Sequence, residues 1–220
     1  MLLDESPGGS YVPGGMKCSD TATKARGRPR EFDPEEALGA ALRVFWTKGY
    51  EGASMADLTE AMGITKPSLY ACFGNKEALF RKALDVYERD KLAYVGRALE
   101  APTARQVAER LLYGSLNTYC GASDEPQGCL GVISMVACTA EAESIREHVI
   151  ARRASSEAAT VERFERAKAE GDLPADSDPK ALAQCLTTLM GGLSVKAQGG
   201  ACLQDLRAVV DACLAMWPSR

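Results

Sequence analysis

Hydroxyl and amine side chains that suit nucleic-acid contacts are concentrated in one short stretch, residues 65–70 (TKPSLY). Thr65 and Ser68 carry hydroxyl groups, which suit phosphates and base edges when they lie at a helix N-terminus. Lys66 is the candidate for reading a base because lysine donates hydrogen bonds to the acceptors of guanine. Tyr70 is expected to bind a phosphate instead. The stretch therefore predicts contact with DNA.

Flanking residues extend this candidate DNA-binding set. Lys76, near the start of the following helix, is expected to hold a phosphate, and Ser54 offers a hydroxyl and the backbone N–H groups behind it. Upstream, residues 24–30 (KARGRPR) form a basic arm of the kind that follows the DNA backbone or enters the minor groove, although a solvated tail is the alternative. The predicted DNA-binding residues are Arg28, Arg30, Ser54, Thr65, Lys66, Pro67, Ser68, Tyr70 and Lys76.

Three short helices must position these side chains. Asp33 followed by Pro34 predicts the start of the first helix, Ser54 caps the second and Thr65 caps the third. Gly63 breaks the chain between the second and the third. A helix, a tight turn and a short exposed helix form a helix-turn-helix, whose second helix enters the major groove. The alternative is a small helical domain with ordinary caps and glycine stops.

The net charge limits how the chain can bind DNA. The whole chain carries a net charge of −4, so it cannot coat DNA non-specifically. Residues 24–82 hold ten basic and eight acidic residues, whereas residues 83–220 hold fifteen and nineteen. Any binding must therefore come from a local patch in the N-terminal part.

The helix-turn-helix region resembles the TetR (tetracycline repressor) family of bacterial regulators. The resemblance rests on residues 27–30 (GRPR), 41–49 (ALRVFWTKG), 54–58 (SMADL), 63–70 (GITKPSLY) and 73–80 (FGNKEALF). It implies an all-helical homodimer with an N-terminal DNA-binding domain and a C-terminal ligand-binding and dimerisation domain. The usual role in the family is a repressor that a small molecule releases from its operator.

One position departs from the family pattern. Many members carry Tyr or His where this chain has Cys72, often near the phosphates. No phosphate contact is therefore carried over to Cys72.

The C-terminal region reads as further helices. Helical patterns are predicted from Glu77 to about Leu99, around residues 107–119 and over residues 141–170. Asp178 followed by Pro179 predicts the start of the next helix. The last two helices carry broad apolar stripes, which predict a four-helix interface in a homodimer. The alternative is that both stripes close the core of one subunit.

The apolar content of residues 107–140 and 182–193 favours a small, largely apolar or aromatic inducer. Its candidate polar contacts are Tyr113, Asn117, Tyr119 and His148. Gly191 and Gly192 interrupt the apolar stripe of the penultimate helix, and a close approach of another backbone would explain them.

The eight cysteines leave a second mode of regulation open. The sequence contains no Cys-x-x-Cys motif and one histidine, so neither a structural zinc site nor a histidine-dependent nucleophile is expected. Most of the thiols are expected to be small buried groups. The alternative is a sensor of electrophiles or oxidants that uses Cys120, Cys129 or Cys138.

The chain is therefore interpreted as an all-α regulator in three parts. Residues 1–23 are expected to be a disordered extension, with Met16 a candidate start, residues 24–82 the DNA-binding domain, and residues 83–220 the ligand-binding and dimerisation domain. The expected partners are double-stranded operator DNA, a small-molecule inducer and a second subunit, with no metal and no cofactor. Neither a signal peptide nor an apolar run long enough to span a membrane is present, so a cytoplasmic location is expected. An enzyme or a simple helical scaffold is the competing class.

Overall fold

The computed structural model describes residues 32–121, 125–136 and 142–218. Within these ranges all regular secondary structure is helical, which confirms the all-α prediction. No helix among these residues is long and apolar enough to cross a bilayer. The helices are α1 (Pro34–Gly52), α2 (Met55–Met62), α3 (Lys66–Phe73), α4 (Lys76–Lys91), α5 (Ala93–Leu99), α6 (Ala104–Tyr119), α7 (Leu130–Val136), α8 (Glu143–Ala169), α9 (Pro179–Gln198) and α10 (Leu203–Ala215).

The predicted caps of the helix-turn-helix are confirmed. Ser54 and Asp57 form a complete capping box at the start of α2, in which each side chain accepts from the backbone of the other. Gly63 ends α2 in the left-handed conformation, with φ 64° and ψ 27°. Thr65 caps α3 by accepting a hydrogen bond from the backbone of Ser68. These caps fix the tight turn that orients α3.

An aromatic cluster holds the first four helices together. Phe45 of α1 and Phe80 of α4 are both fully buried, and their rings meet edge to face with 5.1 Å between the centroids. Leu58 of α2 and Leu69 of α3 are also fully buried. One apolar core therefore sets the position of α3 relative to α1 and α4.

The helix predicted from Glu77 to Leu99 is two helices in the structure. Leu92 ends α4 and begins α5 with φ −104° and ψ 3°. The break turns α5 so that the ring of Tyr94 packs directly on α6 at Gly114. In addition, α4 runs through the boundary predicted between residues 82 and 83, so one rigid helix belongs to both predicted domains.

A short segment between α6 and α7 joins the first helix to the ninth. The Trp46 indole of α1 donates a buried hydrogen bond of 3.0 Å to the Gly128 carbonyl. The next residue, Cys129, donates its backbone N–H to the Ser194 hydroxyl of α9 at 2.8 Å. We call Gly128 and Cys129 the 128–129 link.

Close packing requires glycine at the 128–129 link. Gly128 has φ 83°, and a Cβ atom there would lie 3.0 Å from the Ser194 carbonyl oxygen. At residue 128 the backbone therefore lies against α9 with no room for a side chain.

Charged side chains attach α4 to α8. Arg152 of α8 pairs with Asp85 at 2.5 Å and with Glu88. About two turns closer to the N-terminus of α4, Glu77 accepts a hydrogen bond of 3.1 Å from the Ser144 hydroxyl. The two contacts therefore join α4 to α8 through side chains at two points.

Arg163 of α8 is buried, although arginine side chains are usually exposed. It donates hydrogen bonds of 3.1 Å to the Leu99 carbonyl, 2.7 Å to the Ala101 carbonyl and 3.0 Å to the Pro102 carbonyl. These carbonyls lie at the end of α5 or just after it, where a helix leaves its last carbonyls without partners. Arg163 satisfies them and thereby fixes α5 against α8.

We expect Gly49→Ala to lower the free energy of unfolding by about 1–3 kcal/mol, because residue 49 lies in a backbone region that favours glycine. Gly49 has φ 71° and ψ 176°, and an added Cβ would lie 3.3 Å from the Ile133 side chain. Urea denaturation measures the change. Gly52→Ala is the matched control, since a Cβ there meets only the Lys48 Cβ at 3.5 Å. An equal loss in both variants would contradict the assigned conformation of Gly49.

Candidate DNA-binding surface and ligand cavity

The α3 helix has one buried side and one exposed side. Leu69 and Phe73 are buried in the aromatic core, as the sequence predicts. Lys66, Pro67 and Tyr70 are exposed, with 47% of Tyr70 accessible. The exposed side lies opposite the core and has the polar composition expected of a surface that reads DNA.

The N-terminus of α3 is organised by its own hydroxyl groups. The hydroxyl oxygens of Thr65 and Ser68 lie 2.9 Å apart and share a hydrogen bond. The Lys66 amine lies 5.9 Å from the centre of the Tyr70 ring, close enough for a cation–π contact. Two hydroxyls thus meet at the N-terminus of α3, and an amine and a phenol lie beside each other on its exposed side.

The structure uses Ser54 as a helix cap. Its hydroxyl donates to the Asp57 carboxylate at 2.8 Å and accepts from the Asp57 backbone at 3.0 Å. Lys48 lies 2.7 Å from the same carboxylate. The Lys48 hydrogen bond, followed by those from Ser54, lowers the pKa of Asp57 to about 2. A phosphate contact by the Ser54 hydroxyl would therefore require it to leave the capping box.

Lys76 begins α4 and is half-buried. Its amine lies 4.5 Å from the centre of the Tyr50 ring. Burial lowers the pKa of Lys76, and the charge of Glu51 partly opposes this. The structure therefore restrains the predicted phosphate-binding amine on an aromatic ring of α1.

Of the nine predicted DNA-binding residues, five lie on α3 or cap it: Thr65, Lys66, Pro67, Ser68 and Tyr70. Lys76 begins α4, with its amine on the Tyr50 ring of α1. Ser54 caps α2. Arg28 and Arg30 of the basic arm lie outside the described residues.

A cavity of about 680 Å³ lies among α4, α5, α8 and α9. This volume falls in the range of ordinary small-molecule sites. Tyr119, one of the predicted ligand contacts, lines the cavity, and so do Tyr87, Tyr94 and Cys129. The apolar lining includes Leu84, Val95, Leu99, Met135, Val149 and Met190.

The other predicted ligand contacts lie outside the cavity lining. Tyr113 donates to Asp211 at 2.5 Å, between α6 and α10. Asn117 is exposed on α6. His148 accepts a hydrogen bond of 3.1 Å from Arg152, and it is Arg152 that reaches the cavity. Burial, with the charges of the neighbouring arginines, lowers the pKa of His148 and favours this neutral, accepting form.

Sequence reasoning did not select Tyr87, Tyr94 or Arg152. Tyr87 and Tyr94 occupy the helical pattern of ordinary core residues, and Arg152 lies in a charged helix. The one available signal was Gly114 in the interior of α6, because a glycine there lowers helix stability and calls for a packing reason.

The candidate sensor cysteines occupy different environments. Cys129 is buried and lines the cavity. Cys120 is half-buried at the end of α6, and burial raises the pKa of its thiol. Cys138 lies outside the described residues. Of the candidate sensor cysteines within the described residues, Cys129 is therefore the one that a ligand in the cavity would contact.

The last two helices expose apolar groups. Val195 of α9 is 55% accessible, and Leu203 and Val209 of α10 are also exposed. A Cβ atom added at Gly191 or Gly192 would meet no atom from elsewhere in the described chain within 4 Å. We call these five residues the α9–α10 surface. Packing within the described chain does not explain its composition.

Both parts of the chain match family sequence profiles. Residues 37–83 match the profile of bacterial regulatory proteins of the tetR family. Residues 109–216 match the C-terminal domain of tetracycline repressor-like proteins. The first match contains α2, the tight turn and α3, and the second contains α8 and α9 of the cavity.

Full-length relatives support the same assignment. The HTH-type transcriptional repressor ComR of Escherichia coli (strain K12) is 34% identical over 197 residues, which cover 89% of this chain and 93% of ComR. A cysteine mutant of the TetR family regulator CifR, solved with 26 bp double-strand operator DNA, is 44% identical with a TM-score of 0.81. That match covers 87% of this chain and 100% of the CifR chain.

A third relative extends the comparison. A TetR regulator from Rhodococcus sp. RHA1 is 37% identical, with a TM-score of 0.59, over 86% of this chain and 100% of its own. Profiles, full-length relatives and fold agree with the helix-turn-helix geometry. The chain belongs to the TetR family of bacterial transcriptional regulators.

Proposed function

We propose that this protein is a homodimeric repressor that binds a near-palindromic operator and that a small molecule bound in the cavity releases from DNA. The observation that carries the proposal is the exposed side of α3, where Lys66 and Tyr70 follow a tight turn and a capped N-terminus. The relatives ComR, a repressor, and CifR, solved on operator DNA, support it. In a dimer, the two α3 helices would lie about one DNA turn, roughly 34 Å, apart.

Helix α4 is the proposed lever between the ligand and DNA. Its C-terminal half contributes Leu84, Tyr87 and Glu88 to the cavity, and its first residue, Lys76, follows the end of α3 after two intervening residues. A ligand that displaces the cavity end of α4 would tilt the helix and change the separation of the two α3 helices. Binding that favours one of these two arrangements is sufficient to shift the equilibrium.

The α9–α10 surface is the proposed dimer interface. Exposed Val195 and Leu203 lose contact with water when two such surfaces meet. Gly191 and Gly192 allow a partner helix to approach the α9 backbone closely. A four-helix contact between subunits explains both features.

Cys129 offers a second route to the same release. Because it lines the cavity, a group attached to its sulfur would occupy the ligand space next to the 128–129 link. A thiol-sensing regulator is therefore the alternative, with Cys129 in place of a reversible ligand site.

The DNA proposal predicts a binding defect in Lys66→Ala. Genomic fragments selected by the purified protein should yield one near-palindrome, and fluorescence anisotropy then gives the affinity for it. We expect Lys66→Ala to weaken binding by about 1–3 kcal/mol, roughly 5- to 150-fold, by removing a base contact. Arg166→Ala is the control, since it also removes one exposed positive charge, but from α8. No enriched sequence from ligand-free protein, or equal losses in both variants, would contradict α3 as the reading helix.

The dimer proposal predicts that Val195→Glu dissociates the protein, because it places a charge in an apolar interface. Sedimentation velocity measures the mass. Tyr70→Glu is the matched control, an exposed apolar residue changed to the same charge on α3, and it should remain dimeric. If the Val195→Glu variant remains dimeric, α9 is not part of the dimer interface.

The thiol alternative predicts release of DNA on alkylation. Iodoacetamide transfers its carbamoylmethyl group to the cysteine sulfur, with loss of iodide and the thiol proton. We expect the treated parent to lose operator binding and the treated Cys129→Ser variant to retain it. Equal binding by treated and untreated parent, with mass spectrometry showing Cys129 modified, would reject the alternative.

A further inference from the structure

Two tyrosine hydroxyls in the cavity wall lack ordinary partners. Neither the Tyr87 nor the Tyr94 hydroxyl makes a hydrogen bond to a nitrogen or oxygen atom of the described residues, and both oxygens are inaccessible to solvent. The Tyr87 hydroxyl faces the sulfur of Cys129, which is a weak acceptor. Leaving a buried hydroxyl unsatisfied costs about 1–3 kcal/mol.

Packing fixes the Tyr94 ring but does not explain its hydroxyl. A Cβ atom at Gly114 would lie 2.3 Å from the ring, so α6 accepts Tyr94 only because residue 114 has no side chain. Phenylalanine would fill the same space without burying a polar group. The hydroxyl therefore lacks a partner, and because its oxygen has no accessible surface, a ligand in the cavity reaches it only when the groups that cover it move.

The surroundings of the hydroxyls disfavour a charged partner. Burial raises the pKa of both tyrosines, and the neighbouring groups that raise it further are the Cys129 thiol and other tyrosines, so both hydroxyls remain hydrogen-bond donors at physiological pH. Arg152, at the cavity edge, is already paired with Asp85 and Glu88. Arg153 is the remaining cation in the lining, and it is half-buried on α8. A carboxylate beside the tyrosines would lose its hydration without gaining a paired charge there.

We propose that Tyr94 and Tyr87 determine the ligand class, and that they select a neutral, mainly apolar molecule through a carbonyl oxygen that accepts their hydrogen bonds. The proposal rests on the proposed function, since it specifies the ligand of the same cavity. A carbonyl oxygen has two lone pairs and can accept from both hydroxyls. The apolar remainder of the molecule would fill the space lined by Leu84, Val95 and Met135.

Three probes of matched size test this class. Benzylacetone carries the carbonyl, isopentylbenzene replaces it by a branched hydrocarbon, and hydrocinnamate replaces it by a carboxylate. Calorimetry gives the affinity of each probe for the full chain, for Tyr94→Phe and for Tyr87→Phe. Tyr113→Phe is the matched control, because Tyr113 hydrogen-bonds to Asp211 outside the cavity.

The readout is the ratio of the benzylacetone and isopentylbenzene affinities, in which the cost of removing each probe from water cancels between variants. We expect Tyr94→Phe to lower this ratio by about 3- to 10-fold, the value of one net hydrogen bond, and Tyr113→Phe to leave it unchanged. Hydrocinnamate should bind the parent more weakly than benzylacetone. An unchanged ratio in both cavity variants, tightest binding by hydrocinnamate, or no binding of benzylacetone would overturn the proposal.

Stability and DNA binding separate the possible failures. Tyr94→Phe should melt at the same or a higher temperature than the parent, because it removes an unsatisfied buried hydroxyl; a clear fall would show that the hydroxyl has a structural partner. If the ratio changes as expected but benzylacetone leaves operator affinity unchanged, the ligand class stands and ligand-released repression fails. If operator binding is found but the ratio does not change, the repressor stands and the ligand class fails.

Discussion

The buried hydrogen bond from the Trp46 indole to the Gly128 carbonyl joins the DNA-reading helices to the cavity. Trp46 lies on α1, its ring packs against Tyr87 of α4, and the neighbouring Phe45 packs against Phe80 of α4. Gly128 is followed by Cys129, whose backbone is bonded to Ser194 of α9. Because each group is buried and can be satisfied only in this arrangement, α1, the cavity wall and α9 are held in one fixed geometry.

Helix α4 supplies a second connection between the same parts. Its pairs with Arg152 hold it against α8 at the cavity edge, whereas Phe80 holds it in the aromatic core beside α1. A displacement of one end of α4 therefore moves the other end, because a packed helix shifts as a rigid body and deforms little. In the proposed mechanism, a ligand in the cavity therefore changes the position of α3 without contacting it.

Buried polar groups of the described residues differ in whether they find a hydrogen-bond partner. The Trp46 indole donates to the Gly128 carbonyl and Arg163 donates to three backbone carbonyls, whereas the Arg163 Nη1 and the Trp217 indole have no partner among the described residues. Of the described groups that lack a nitrogen or oxygen partner, the hydroxyls of Tyr87 and Tyr94 belong to residues that line the cavity. Native structures leave few such groups unsatisfied, and those that persist are informative about function.

The sequence by itself determined the helix-turn-helix, because caps, glycine breaks and prolines act locally on the residues beside them. Asp33, Ser54, Gly63 and Thr65 therefore identified α1, α2 and α3, and the exposed side of α3 followed from helical spacing. The cavity depended on tertiary structure, because Tyr94 meets Gly114 and Arg152 meets Asp85 only when distant helices pack together. The local sequence pattern does not indicate those pairings. For this reason the sequence selected Tyr119 but also Tyr113, Asn117 and His148, which lie outside the cavity lining.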